Sequence, residues 1–431
     1  MASKSEQYLA LLAESTFLKP WAIANPFHRP GKEITDLLVP FARDLILFSD
    51  KACNFNSSQQ ADLAWTRWER AAIDESIKQL DGAVRALERE DCTVFTDNTA
   101  QDPLSFPIPS PADRRYHLVA VARPSQDPTT TPEGWATLTY NDRSELKPFQ
   151  IGPQFAGGRF VHVFEGSELD LILKELDTAP DLITYLTRRE ELLRIGPQIE
   201  FVERDFLATA ISNWANGRDF AVTLDDVRRG KLAAGNWERY KSSRRVEETR
   251  AASKDSYIID QLISEFHREH LEYRASGRDT PYMARHEEAM RLLAMEGRFA
   301  RRIITDPLLT ILDEDEQHIF WAMTVPSPTS PGVRYVWLTY PKKPKDWSDD
   351  QCAYYISEHL QQYIIVAADT FPEETVIIGL AVPNRLAEDN LLAMRVFDAA
   401  NPSEHLKAEA EHWRRQGVFD NLEAQQFMHL R

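Results

Sequence analysis

Three shortages in the sequence narrow the field before any motif is read. Cysteine is scarce: Cys53, Cys92 and Cys352 are the only three, widely scattered. That gives no support to a disulfide framework or a thiolate zinc cluster and fits a reducing cytoplasm. No apolar run approaches the ~18 residues that a bilayer span needs, so no membrane partner is expected. The opening residues Met1 to Glu6 lead into a segment bearing Glu14 and lack the cleavage pattern of a secretory signal. Positive charge is also short, with 50 Lys and Arg against 67 Asp and Glu and a net charge of −17. Such a chain does not coat nucleic acid by bulk electrostatics, although a nuclease needs only a locally positive groove. Several motifs are missing too. There is no Walker A run, no Gly-x-Ser-x-Gly elbow and no zincin motif.

What is present is ordinary globular composition, 43% hydrophobic and 27% charged. A length of 431 residues exceeds what one ordinary core encloses, so two domains are expected. The spacing of apolar residues predicts an opening helix over 5–18, then buried strands near 34–40 and 44–51 joined by a short link. A long helix follows over 61–90, with Trp65, Trp68, Ile73, Ile77 and Leu80 on one face. Strands at 116–122 and 160–164 and helices at 167–176 and 179–193 complete an α/β pattern with a mixed sheet. After about 200 the pattern changes. Helices are expected at 203–217, 254–275, 281–296 and 348–371, with strands at 317–325, 333–340 and 374–382. We therefore expect an α/β domain over 1–198 and an α+β domain over 199–431.

The richest stretch is Gly31-Lys32-Glu33-Ile34-Thr35-Asp36-Leu37-Leu38-Val39, followed by Asp44-Leu45-Ile46-Leu47-Phe48-Ser49-Asp50-Lys51. Two neighbouring strands here carry carboxylates and a lysine near their ends. Carboxylates hold a hard divalent cation, and an ammonium group steadies a phosphate or an attacking water, as phosphodiester hydrolysis requires. Strand alternation places Ser49 and Lys51 on one face and Asp50 on the other, unless the strand ends or bulges there.

This block, with Trp65-Thr66-Arg67-Trp68 on the next helix and Phe160 to Phe164 leading to Glu175-Leu176-Asp177-Thr178, resembles the PD-(D/E)XK, or restriction-endonuclease-like, nuclease superfamily. More narrowly, residues 1–195 resemble bacterial proteins with a nuclease-related N-terminal domain. The resemblance implies a restriction-endonuclease-like mixed sheet flanked by helices, a Mg²⁺ (or Mn²⁺) cofactor, and a DNA-cleaving activity, with defence against foreign DNA a plausible setting. By the same resemblance, Glu14, Asp36 and Asp50 are metal ligands, and Asp36, Asp50, Lys51 and Glu33 form the catalytic set. Gln79 matches a glutamine of the following helix. The chain departs from the family pattern at Ser49, where an acidic residue stands two positions before the lysine. Three readings follow: an active site with Asp50 turned inward, an active site through Glu33 and Asp36, or an inactive nuclease-like scaffold that binds a protein partner.

A second candidate is the basic run at 228–250. Arg239, Lys241, Arg244 and Arg245 are expected to contact nucleic acid, DNA being favoured, with Trp237 and Tyr240 interleaved for stacking. A protein partner or a homo-oligomer is the other class of association considered. His267 and His270, three apart, are read as a solvated helix face, and His162 as a core histidine.

Overall fold

The computed structural model describes residues 3–104, 106, 108–196, 198–276, 281–312, 320–340, 346–384, 391–400 and 403–419. It forms two compact units, Met1–Ala251 and Ala252–Arg431. Among the described residues no helix is long and apolar enough to cross a membrane.

The first unit opens on α1 (Lys4–Phe17), started by a capping box in which Ser3 Oγ accepts from the Glu6 amide and Glu6 Oε2 accepts from the Ser3 amide at 2.8 Å. Short strands β1 (Ile23–Ala24), β2 (Phe27–Arg29) and β3 (Lys32–Glu33) lead to β4 (Leu37–Phe41) and β5 (Asp44–Ala52). The last two pair antiparallel, Leu37 opposite Phe48. Both are buried almost throughout because the sheet is covered on both faces. Leu45 and Leu47 pack with Leu80 and Ala83, whereas Phe48 meets Phe17 of α1 with ring centroids 6.1 Å apart.

Next come α2 (Ala61–Glu69), a π-helical turn at Arg70–Asp74, and α3 (Glu75–Leu87). Strand β6 (Arg115–Arg123) then lies parallel to β5. After β7 (Thr139–Asn141), β8 (Gln150–Ile151) and β9 (Gln154–Ala156), strand β10 (Arg159–Glu165) runs parallel to β6. The result is a six-stranded mixed sheet in the order β1-β4-β5-β6-β10-β9. Helices α4 (Gly166–Glu175) and α5 (Ala179–Ile195) follow it. The α/β class and mixed sheet expected for this half are present.

This unit extends past residue 198 for physical reasons. Strand β11 (Glu200–Val202) pairs antiparallel with β7. Helix α6 (Glu203–Trp214) supplies Glu203, whose carboxylate accepts from Arg189 at 2.8 and 2.9 Å and from the Tyr185 hydroxyl at 2.6 Å. Arg189 is buried, and its third nitrogen donates to His162 Nδ1 at 3.2 Å. Burial and the adjacent guanidinium drive the His162 pKa well below its ordinary value, so this ring is the neutral core histidine expected. Helices α7 (Leu224–Arg228), α8 (Asn236–Lys241) and α9 (Arg244–Ser253) complete the sequence of elements up to the division.

The second unit places α10 (Ile258–Ala275), α11 (Pro281–Met295) and α12 (Arg298–Leu312) before β12 (Trp321–Pro326) and β13 (Val333–Tyr340). Helix α13 (Asp349–Thr370) then crosses to β14 (Val376–Pro383), followed by β15 (Ala393–Asp398) and α14 (Glu404–Arg415). The sheet order is β12-β13-β14-β15, parallel only between β13 and β14. Gly379 of β14 allows α13 to lie close, since a Cβ there would sit 2.9 Å from Ile364 Cγ1 and Leu360 Cδ1. Residues 317–319 of the strand expected at 317–325 lie outside the described residues. His267 and His270 are buried, at 7% and 5% exposure, which corrects the reading of a solvated face. The ring faces follow the apolar stripe of Ile259, Ile263 and Phe266 instead.

Candidate functional site

The site is built at the end of β5 by strand alternation. Asp36, immediately before β4, stands opposite Ser49 by extension of the Leu37–Phe48 register, so its side chain shares a face with Ser49 and Lys51. Thr35 pins the turn by donating to the Phe48 carbonyl at 2.6 Å. The Asp36 carboxylate is almost fully buried and accepts from the Asp50 amide at 2.6 Å and from Gln79 Nε2 at 2.9 Å. Lys51 Nζ stands 3.6 Å from Asp36 Oδ2, with its side chain 31% exposed. Gln79 joins the two strands by accepting from Ser49 Oγ at 3.0 Å through its own carbonyl. The side chains of Asp36, Lys51, Gln79 and Ser49 therefore form one connected cluster that opens to solvent on the lysine side.

Glu33 lies exposed at the rim of this cluster. Partial desolvation, the negative charges of Asp36 and Glu6, and a hydrogen bond with the Asp36 carboxyl push its pKa up to about 7, with Lys51 pulling the other way. Two carboxyl groups this close repel when both are ionised, and either a proton or a cation relieves the repulsion. Glu14 is exposed near the end of the helix, and Glu6, in the first turn, is the acid whose charge reaches Glu33.

Asp50 is placed elsewhere. Its side chain is fully buried on the opposite face of the sheet, where Arg123 Nε donates to its two oxygens at 3.1 and 3.2 Å. Arg123 also reaches Asp170 of α4 at 3.4 Å, and its guanidinium lies over the Tyr8 ring, 5.4 Å from the centroid. Burial raises the Asp50 carboxyl to about 6 against the pull of Arg123. No bulge turns Asp50 inward: β5 keeps a regular register with β6 from Asp44 to Ala52. Only the backbone amide of Asp50 serves the site. Sequence reading missed Arg123, because it joins Asp50 across 73 residues and no local pattern marks it.

The basic run does not offer stacking rings. Trp237 is buried, its ring 5.3 Å from that of Tyr240, and the Tyr240 hydroxyl donates to Glu175. Arg244 pairs with Glu248, Arg245 donates to the Ala215 carbonyl, and Arg239 reaches Asn236 at 3.5 Å. Lys241 is exposed. These cations remain surface groups on α8 and α9, and their interleaved aromatics pack inward. Trp65 and Trp68 are core residues as expected, 5.4 Å apart and clustered with Trp135 and Phe149.

Could this cluster hold a cation? Among the described residues, no group of three or more His, Cys, Asp or Glu side chains is arranged to hold a metal ion. Glu33 and Asp36, close enough for the charge of Asp36 to raise the Glu33 pKa, offer two carboxylates when both are ionised. Two suffice for magnesium, which keeps waters and takes the rest of its octahedron from substrate oxygens, but would not make an all-protein cage. Neither models of protein families, nor curated protein sequences, nor solved structures give a match to this chain.

Proposed function

We propose that the first unit is a metal-dependent phosphodiesterase acting on nucleic acid, with DNA the favoured substrate. The observation that carries the reading is the Asp36–Lys51 pair, 3.6 Å apart at an open sheet end with Glu33 at its rim. The succession of α1, the β4–β5 hairpin, α3 and parallel β6 also accords with the restriction-endonuclease-like arrangement that the sequence resembles.

In this reading Glu33 and Asp36 would hold one Mg²⁺ or Mn²⁺. The bound ion supplies Lewis-acid polarisation of the phosphoryl oxygen and acidifies a water. Gln79 and the Asp50 amide keep the Asp36 carboxylate in one orientation. The Lys51 ammonium neutralises negative charge as it develops on the phosphoryl oxygens. Ser49, in the place of the family's acid, contributes a hydroxyl tied to Gln79 and adds no charge.

The test is cleavage of plasmid and linear DNA with Mg²⁺ or Mn²⁺. Asp36→Ala and Lys51→Ala should each lower the rate by roughly 10²–10³-fold, the range lost with one charge-stabilising group. Unchanged cleavage in both variants removes the assignment. Ser49 and the limit of two carboxylates favour a second reading, a nuclease-like scaffold that binds without cutting. Wild-type protein inert towards DNA and RNA with either metal would support that one.

A further inference from the structure

Beside the Asp36–Lys51 cluster lies a cleft of about 220 Å³ that the proposed chemistry does not use. It begins two residues beyond Lys51, where the extended chain still bonds along β6: the Cys53 and Phe55 amides donate to the Arg123 and Pro124 carbonyls at 3.0 Å each. Its lining includes Asn54, Asn56, Gln59, Arg67 and Trp68. The volume falls below the ~300–1,000 Å³ of pockets that engulf a drug-sized ligand, and suits a single ring system.

The hydrogen-bonding inventory of this cleft is lopsided. Asn56 Oδ1 already accepts from the Ser58 amide at 3.1 Å and its hydroxyl at 2.7 Å. Gln59 Oε1 already accepts from Arg67 at 3.1 Å. Asn56 thus spends both lone pairs of its oxygen internally and Gln59 one of two, while the NH₂ groups of both have no protein acceptor among the described residues. Arg67 carries donors only. The Trp68 indole N–H is spent on the Cys53 carbonyl at 2.8 Å. The free side-chain acceptors are fewer, Asn54 Oδ1 and the second lone pair of Gln59 Oε1. Such a cleft matches a ligand edge made of acceptors.

On the major-groove edge, guanine alone among the four bases presents two adjacent acceptors, N7 and O6. Adenine and cytosine each present an amino donor there, and thymine one acceptor and a methyl group. A phosphate also accepts, but this cleft holds one cation among neutral amides, whereas phosphate sites gather charge. We propose that this cleft binds a guanine base, so that a substrate strand crossing Lys51 is held with a guanine next to the scissile phosphate. The proposal rests on the nuclease reading only for the presence of that strand.

The experiment titrates the full-length protein with dGMP, dAMP, dCMP, dTMP, 7-deaza-dGMP and deoxyribose 5-phosphate by calorimetry. The expected result is that dGMP binds tighter than dAMP by roughly 5- to 150-fold, the discrimination of one good bidentate contact. 7-Deaza-dGMP should lose most of that gain. Asn56→Asp at an exposed position and Gln59→Glu at a half-buried one, which exchange a donor for an acceptor, should erase the preference for dGMP. Absence of dGMP binding, equal binding of all four nucleotides, or equal binding of deoxyribose 5-phosphate overturns the proposal. Asp36→Ala separates the two readings, since it should slow cleavage as stated above and leave the dGMP preference intact. Cleavage without guanine preference ends this inference alone, and guanine preference without cleavage by the wild type ends the catalytic reading alone.

Discussion

At the scale of single residues, the pair that most constrains the site is one that never enters it. Arg123 and Asp50 are both buried behind the sheet, and the Asp50 amide on the other side fixes Asp36. Removing one member of a buried ion pair leaves an uncompensated charge, at a cost of about 3–5 kcal/mol. Arg123→Met should therefore lower unfolding free energy by that amount in urea titrations, and adding Asp50→Leu should restore most of it. A double variant as unstable as the single would show that packing, not charge, is what Arg123 provides. Gly166 makes room for this arginine, since a Cβ there would lie 2.7 Å from Arg123 Cγ. Gly166→Ala should cost about 1–3 kcal/mol by overpacking, read in the same titration.

At the scale of elements, the β4–β5 hairpin and the helix after it were largely legible. Continuous apolar runs define both strands, and a period of two assigns Ser49 and Lys51 to one face and Asp50 to the other, while only the pairing register adds Asp36 to the first. The three- and four-residue spacing from Trp65 to Leu80 gives the helix, and Gln79 falls on its sheet-facing side. The π-turn at Arg70–Asp74 was not legible, because it changes hydrogen bonding without changing the apolar pattern. The influence of Glu6 on Glu33 was missed for a different reason: the apolar spacing of α1 gives a helix, but only its packing sets which acid comes near the site. Helix α11 carries its own prediction. Burial of His286, only partly offset by a hydrogen bond with the Met394 backbone in β15, lowers its pKa to about 4. The unfolded chain takes up a proton near pH 6.5, whereas the folded one resists until about 4. Its contribution is complete above pH 6.5 and is lost as the pH falls towards 4. Urea unfolding at pH 5 should show a loss of about 1–2 kcal/mol relative to pH 7 that His286→Gln reduces.

At the scale of the whole molecule, the two compact units predict which pieces stand alone. The change in the pattern of expected elements near residue 200 suggested a boundary at 198, yet β11 and Glu203 belong with the strands and helices before them. Three-residue β11 is too short to announce itself, and its partner β7 is equally short. A fragment of residues 1–251 should give a cooperative melt and a compact elution volume. One of residues 1–198 should not, because it strands Arg189 without its carboxylate. A folded 1–198 fragment would mean that Glu203 is dispensable.

That single carboxylate also sets an order of events during synthesis. Domains generally fold as they emerge from the ribosome, amino end first. Here the central sheet is complete at Glu165, but among the described residues Arg189 forms its ion pair with Glu203 alone, further along the chain. Until that residue clears the exit tunnel, the nascent sheet carries an unsatisfied interior cation. Translation arrested with Arg189 outside the tunnel and Glu203 still within it should thus leave a species that chaperones hold and proteases find first.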